Sequence, residues 1–263
     1  KIRVACYDWG MEEDELSRQT EQLKEILASS KRVAFLGGAG TSTESGIPDF
    51  RSENGVFEAT KQYGYAPEVL ISHEFFMRRT ETFYDYYRRY LLFPDAEPND
   101  AHLALARLES KGKLTAVITQ NIDGLHQKAG SKNVLELHGS VYRNHCMRCH
   151  KAYSLEEIMA QQGVPKCACG GTIKPDVVLY GEGLDETVLS DAVAHISGAD
   201  TLIIGGTSLV VYPAAGLVDF FNGKNLVVIN KGRTGREAGA TLAISAPIGR
   251  VLRRAVLENE AFD

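Results

Sequence analysis

Four short runs of this chain, Val33–Leu36, Leu114–Thr119, Thr201–Ile204 and Leu226–Ile229, are apolar along most of their length rather than at alternate positions. A strand with one wet face alternates; a strand covered by helices on both faces does not. The runs are therefore expected as strands of a buried parallel sheet. Helical patterns flank them. Residues 11–29 put Leu16, Leu23, Ile26 and Leu27 on one face, and similar stripes recur at 101–110, about 184–197, 214–222 and 247–258. Pro213 suits the start of the 214–222 helix. Strands alternating with helices imply right-handed crossovers and a doubly wound, Rossmann-like α/β fold. Two segments break the rhythm. Residues 52–110 hold no strand run but many aromatics, Phe75, Phe76, Phe83, Tyr84, Tyr86, Tyr87 and Tyr90 among them, and residues 140–175 carry a group of cysteines. They are expected as insertions that together form a smaller lobe. Residues 11–51, 111–139 and 176–263 are left as the large domain.

Composition removes several function classes. Of 263 residues, 29 are Lys or Arg and 34 are Asp or Glu, a net charge of −5. Proteins that live on phosphate contacts carry a basic balance or stripe, so no nucleic-acid partner is expected. The most apolar stretch, Leu202–Val218, is interrupted by Gly205, Gly206, Thr207, Ser208 and Pro213 and does not span a bilayer. The N-terminus lacks the apolar run and cleavage site of a signal peptide. It begins at Lys1, so Met11 is a candidate start and residues 1–10 a candidate appendage.

The first strand run leads into Gly37-Gly38-Ala39-Gly40, followed by Thr41-Ser42-Thr43-Glu44-Ser45-Gly46. A glycine turn that leaves a parallel strand and opens a helix presents bare N–H groups to a phosphate. Gly38 and Gly40 would let a pyrophosphate come close. Thr43 occupies the third glycine's place, and no acid-tipped strand follows about 20 residues on to hold a ribose. The loop thus suits a dinucleotide but not a routine dehydrogenase, and a tight turn without a ligand would look the same. Next comes Ile47-Pro48-Asp49-Phe50-Arg51-Ser52, a rigid loop with an acid, an aromatic and a cation in consecutive positions.

Four of the five cysteines fall within 24 residues. Cys146-Met-Arg-Cys149, then 17 residues, then Cys167-Ala-Cys169-Gly170-Gly171 approximates a zinc ribbon. The second pair has one intervening residue where two are usual, which makes it harder for both sulfurs to reach one ion. His145 and His150 flank the first pair and could substitute. Four cysteines are favoured over a redox-active group of thiols, and a fully ligated ion leaves no position for water, so the metal would be structural. Such clustering belongs to a reducing compartment, and a cytoplasmic location is expected. Cys6 is assigned no role.

Strand Leu114–Thr119 ends in Gln120-Asn121-Ile122-Asp123-Gly124, and Val134-Leu135-Glu136-Leu137 leads to His138-Gly139-Ser140. Ligands of open parallel sheets bind beyond the carboxyl ends of strands. Asn121, Asp123 and His138 are therefore candidates for side-chain chemistry, with Gly206, Thr207, Ser208 and Asn230 after later strands. His73, His102 and His195 have no such setting and receive no role.

In order, these motifs, with Lys174-Pro175-Asp176-Val177-Val178-Leu179-Tyr180-Gly181-Glu182 and Gly206-Thr207-Ser208-Leu209, resemble those of the sirtuins over about residues 12–258. The resemblance implies a Rossmann-like NAD-binding domain with a zinc and helical lobe. It implies an NAD-dependent protein lysine deacylase. In that family the acyl oxygen attacks C1′ of the nicotinamide ribose and expels nicotinamide to form an alkylimidate. A histidine matching His138 then acts as general base, giving 2′-O-acyl-ADP-ribose and free lysine. Asn121 would order the ribose and a water, and Asp123 and Ile122 the nicotinamide. Phe50 would cover the nicotinamide pocket and the emerging C1′, Arg51 would offer charge near the phosphates, and Asp49 would also bind the cofactor. Ala39, Gly40, Thr43, Gln120, Gly206, Thr207, Ser208, Asn230 and Ile248 would line the dinucleotide. Acetylated protein or peptide would bind through Val178, Gly181, Glu182, Gly183, Leu209 and Val210, as an extra strand read through its backbone. Zinc would sit on Cys146, Cys149, Cys167 and Cys169.

Relatives that remove dicarboxylic acyl groups resemble one another in a Tyr-x-x-Arg after the Phe-Arg pair; between Ser52 and Met77 this chain has no arginine, though Tyr63 and Tyr65 are present. Deacetylation is expected over desuccinylation, by a monomer. Two rivals are a mono-ADP-ribosyltransferase on the same fold and a non-catalytic NAD-sensing or zinc-ribbon module.

Overall fold

The computed structural model describes residues 2–49 and 59–262, and side chains from residue 13 onward within the first helix. No helix among them is long and apolar enough to cross a membrane. The chain enters through helix α1 (Ile2–Ser29) into β1 (Val33–Gly37). Helices α2 (Pro67–Leu70), α3 (His73–Arg78), α4 (Thr80–Tyr90) and α5 (Asp100–Ser110) precede β2 (Leu114–Thr119). A short α6 (Leu125–Lys128) and β3 (Val134–Glu136) follow. Then come β4 (Gly139–Cys146), β5 (Ala152–Tyr153), α7 (Leu155–Met159) and β6 (Ile173–Val177). Helix α8 (Glu186–Ser197), β7 (Thr201–Gly205), β8 (Asn225–Ile229), β9 (Leu242–Ile244) and α9 (Ile248–Leu252) complete the chain, with a π-helical turn at Arg253–Leu257.

Among the described residues, six strands form one sheet in the order β3-β2-β1-β7-β8-β9, all neighbours parallel. This is the doubly wound order that reverses at its first strand. The continuous apolar runs have their expected cause. Val33 and Phe35 of β1 face a core shared with α1, α5 and α9, while Ala34 and Leu36 face another shared with α8 and the 214–220 turn. The central strands β1 and β7 thus bury both faces, at about 25 cal/mol per Å² of apolar surface removed from water.

A separate core joins Phe75, Phe76, Phe83, Tyr84, Tyr86 and Tyr87 of the helical segment to Val141, Leu155, Ile158 and Ile173 around the cysteines. Its second sheet is antiparallel, β5-β4-β6. Arg88 fastens the two parts by donating to the carbonyls of Ile158, Gln161 and Gly163. Helix α5, placed with the insertion by the limit at residue 110, buries Ala101, Ala104, Leu105 and Leu108 in the core of the large sheet. Its alanine-rich face allows close packing against β2 and α9, and Asn99 caps it.

The glycine loop also differs from expectation. In place of an α-helix, two 3₁₀ turns, Ala39–Thr41 and Thr43–Ser45, follow β1. Thr43 Oγ1 donates to the Gly40 carbonyl at 3.0 Å, and such local bonds compete with helix. Gly46, at φ 82°, then turns the chain before Pro48. Phosphate groups would therefore meet turn N–H groups and hydroxyls rather than a helix end.

Candidate active site

Strands β1, β2 and β7 end level, with Gly37 opposite both Thr119 and Gly205. Their loops consequently gather at one edge of the sheet. The glycine loop crosses the β7 loop in direct contact, since the Gly40 N–H donates to the Gly206 carbonyl at 2.7 Å. A Cβ on Gly40 would stand 2.8 Å from that carbonyl, and one on Gly206, at φ 58°, only 2.3 Å from the Thr41 nitrogen. Approach of chain to chain thus requires glycine at both positions.

Between the sheet edge and the small lobe lies a cavity of about 240 Å³. Its walls include Ala39, Asp49, Gln120, Asn121, Ile122, Asp123, His138, Gly206, Thr207 and Ser208, together with Val178, Gly181 and Glu182. Loops distant in sequence thus converge on one space. Several expected residues lie outside its wall. Thr43 is exposed, Gly40 is spent on Gly206, and Ile248 is buried in the hydrophobic core with its Cδ1 against Gly205. Asn230 donates from its side chain to the Gly232 carbonyl beyond β8. Leu209 is buried at φ 53°, Val210 is 64% exposed, and Gly183 is exposed beside Glu182. Phe50 and Arg51 lie outside the described residues.

His138 is held by one informative bond, 2.9 Å from its Nδ1 to the Gln120 carbonyl. A carbonyl only accepts, so Nδ1 carries the proton and the neutral ring keeps its basic lone pair on Nε2. The backbone just beyond β2 therefore selects the tautomer of this ring. Gln120 is itself braced, its side chain donating to Thr207 Oγ1 at 3.0 Å.

Ser42, passed over by the sequence reading, lies at the centre of a second network. Its hydroxyl donates to Asp123 Oδ2 at 2.6 Å and accepts from Asn121 Nδ2 at 3.0 Å. The Leu125 N–H donates to the other Asp123 oxygen. Burial pushes the Asp123 carboxyl above its usual range, against the opposing bonds from Ser42, Leu125 and Asn121. Beneath them the imidazole of His102 is fully buried, its Nε2 3.5 Å from Ser42 Oγ and its Nδ1 accepting from the Asn99 N–H. Asn99 also donates from its side chain to the Thr41 carbonyl and Ser45 Oγ, tying α5 to the glycine loop. The Asn-x-x-His spacing of that capping box was the available sequence signal.

The cysteines form a site of their own. All four sulfurs lie within 4.8 Å of one another, with Cys146–Cys169, Cys149–Cys167 and Cys149–Cys169 separations of 3.5, 3.6 and 3.5 Å. A tetrahedral zinc with bonds of about 2.3 Å sets its sulfurs about 3.8 Å apart, so the four fit a closed structural site. The shortened second pair reaches because Gly170 turns at φ 80° and Gly171 carries no Cβ, which would stand 2.6 Å from Cys146 Sγ. His150 closes the first turn through its N–H to the Cys146 carbonyl, and no histidine joins the cluster among the described residues.

Comparison with known proteins agrees with this geometry. The Sir2 family model matches residues 38–213. An NAD-dependent protein deacetylase of Clostridium perfringens is 58% identical over 237 residues, 89% of this chain and 97% of its own length. One of Clostridium acetobutylicum is 55% identical with the same coverage. A Sir2 structure with deacetylated p53 peptide and 3′-O-acetyl-ADP-ribose superposes with a TM-score of 0.83 at 40% identity, covering 91% of this chain and 98% of that one. A Sir2 bound to acetylated peptide gives 0.80 at 38%, covering 92% and 99%. The chain belongs to the Sir2 family, the sirtuins.

Proposed function

We infer that the chain is an NAD-dependent protein lysine deacetylase, which converts acetyl-lysine and NAD to lysine, nicotinamide and 2′-O-acetyl-ADP-ribose. The observation that carries this reading is the fixed tautomer of His138 at a cavity lined by Gln120, Asn121 and Asp123. Bound NAD supplies an electrophilic ribose carbon that parts from nicotinamide as the acetyl oxygen bonds to it. His138 Nε2 takes a proton from a ribose hydroxyl, and Nδ1–H on the Gln120 carbonyl keeps the ring oriented as it charges. Asp123, with Ser42 and the Leu125 N–H on its oxygens, faces the nicotinamide amide beside Ile122, while Asn121 orders the ribose. Ala39, Asp49, Gln120, Gly206, Thr207 and Ser208, which line the cavity, hold the rest of the dinucleotide. The peptide lies between Gly181–Gly183 and Leu209–Val210, and Val178 accepts from the acetamide N–H. The clustered thiolates hold a structural zinc and suit a cytoplasmic, reducing setting.

The acyl preference follows from charge. Among the described residues, the charged groups of the cavity wall are Asp49, Asp123 and Glu182, with no lysine or arginine. Tyr63 is committed to Asp85, its hydroxyl donating at 2.6 Å, and Asp85 pairs with Arg89. A succinyl carboxylate would enter unpaired at a cost of several kcal/mol. Matched acetyl- and succinyl-lysine peptides should differ in kcat/KM by at least about 100-fold in favour of acetyl. Comparable rates on both would overturn the preference. With NAD labelled in its adenylate, the label should leave with the acetyl group as a small molecule; label retained on protein would indicate ADP-ribosyl transfer instead.

A further inference from the structure

The segment that leaves β6 is laced to the helical part of the small lobe through a residue for which the sequence offered no role. At its start the Val178 N–H donates to the His138 carbonyl at 3.0 Å. It then forms a tight turn, closed by the Glu182 N–H on the Leu179 carbonyl and by the Leu179 N–H on Glu182 Oε2, both at 2.9 Å. Gly181 takes φ 91° within it. Lys174, whose side chain is 11% exposed, reaches the same Oε2 at 3.1 Å while also donating to the Val177 carbonyl. The other oxygen, Oε1, meets His73 Nδ1 at 2.8 Å. His73 opens α3, and its backbone N–H donates to the Tyr180 carbonyl at 2.9 Å while the Tyr180 N–H donates to Ile71 at 3.1 Å. Both carboxylate oxygens of Glu182 are thereby occupied within the protein. Its side chain orders the turn, which leaves the backbone of Gly181–Gly183 to face a ligand.

We propose that His73 is a positioning residue for the acylated peptide, acting through Glu182 to fix the Leu179–Glu182 turn from which one wall of the peptide groove departs. The proposal rests on the assignment of Gly181–Gly183 to that groove. His73 touches neither substrate, so its contribution is pre-ordering: without it, binding must pay for freezing a turn that is otherwise already set. Lys174 holds the same carboxylate from the buried side.

His73→Ala and His73→Asn separate this from a merely structural role. The side chain of His73 is 48% exposed, so neither variant opens a core cavity, and asparagine keeps a donor near the Nδ1 position. In His73→Ala the KM for acetyl-peptide should rise about fivefold or more while kcat and the KM for NAD stay within about twofold. His73→Asn should recover most of the loss. Hydrogen exchange should accelerate at residues 179–184 in the alanine variant and hardly elsewhere. An unchanged peptide KM, equal impairment of both variants, or faster exchange across the whole fold would each overturn the proposal. A wild-type chain that failed to deacetylate any peptide would count against the functional reading instead, and the exchange comparison would still decide whether His73 holds the turn.

Discussion

At the scale of single residues, the site depends on what each imidazole is allowed to do. His138 keeps Nε2 basic because a carbonyl fixes its other nitrogen. His102 and His126 stand opposite: both are buried, their rings 4.7 Å apart, and neither nitrogen of His126 has a hydrogen-bond partner. Burial pushes His102 down from 6.5 to about 4, and burial and then His102 push His126 well below its usual value. Between those limits the unfolded chain binds protons that the folded chain refuses. Their contribution to stability is therefore intact above about pH 6.5 and is lost as the pH falls towards about 4. The suppressed protonation of His102 alone costs about 2 kcal/mol at pH 5, worth a few degrees of Tm, and that of His126 acts in the same direction. Thermal melts of wild type and His126→Leu at pH 7.5 and 5 should show a smaller acid-induced drop in the variant. An equal drop would mean that this imidazole is not held neutral. Only the capping-box spacing Asn99-x-x-His102 marked one of them, and nothing in the sequence separated His126 from a surface histidine, because burial at a crossing of α5, α6 and β1 is a tertiary fact.

At the scale of elements, regular strands were the most legible feature, because two buried faces leave an unbroken apolar run. Leu114–Thr119 has the bounds expected of it, and Thr201–Gly205 and Asn225–Ile229 differ by a single residue at one end. The strands of the small lobe carried no such mark. They are antiparallel and partly wet, β5 being only Ala152–Tyr153. The hydroxyl-rich segment after β1 misled in another way, since its 3₁₀ turns and an α-helix begin with the same glycines. The cysteine lobe makes a claim at this scale: all four thiolates hold the metal, the Cys-x-Cys pair included. Metal analysis of the purified protein should find about one zinc per chain, falling well below that in Cys169→Ser together with a lower Tm. Undiminished zinc in that variant would show that another group completes the shell.

At the scale of the whole molecule, the arrangement is a two-faced sheet whose loops, the helical insertion and the segment leaving β6 all face one cavity. Strand order was not readable locally, because no residue pattern records which crossover passes which face. The site was readable as a set of strand-end motifs, yet how they are held together was not: Ser42 joining Asn121 to Asp123, Asn99 tying α5 to the glycine loop, and the Gly40–Gly206 crossing all bridge segments about 60 residues or more apart in sequence. What they assemble is a base of fixed tautomer beside a dinucleotide cavity, and that is the claim to test first. Wild type and His138→Ala should be incubated with NAD and an acetyl-lysine peptide, and all products weighed by mass spectrometry. Wild type should yield deacetylated peptide, nicotinamide and acetyl-ADP-ribose in equal amounts, and the variant should lose at least about 100-fold in that turnover, the lower end of what a positioned acid or base supplies. Turnover undiminished in His138→Ala, or NAD left intact by wild type, would contradict the account.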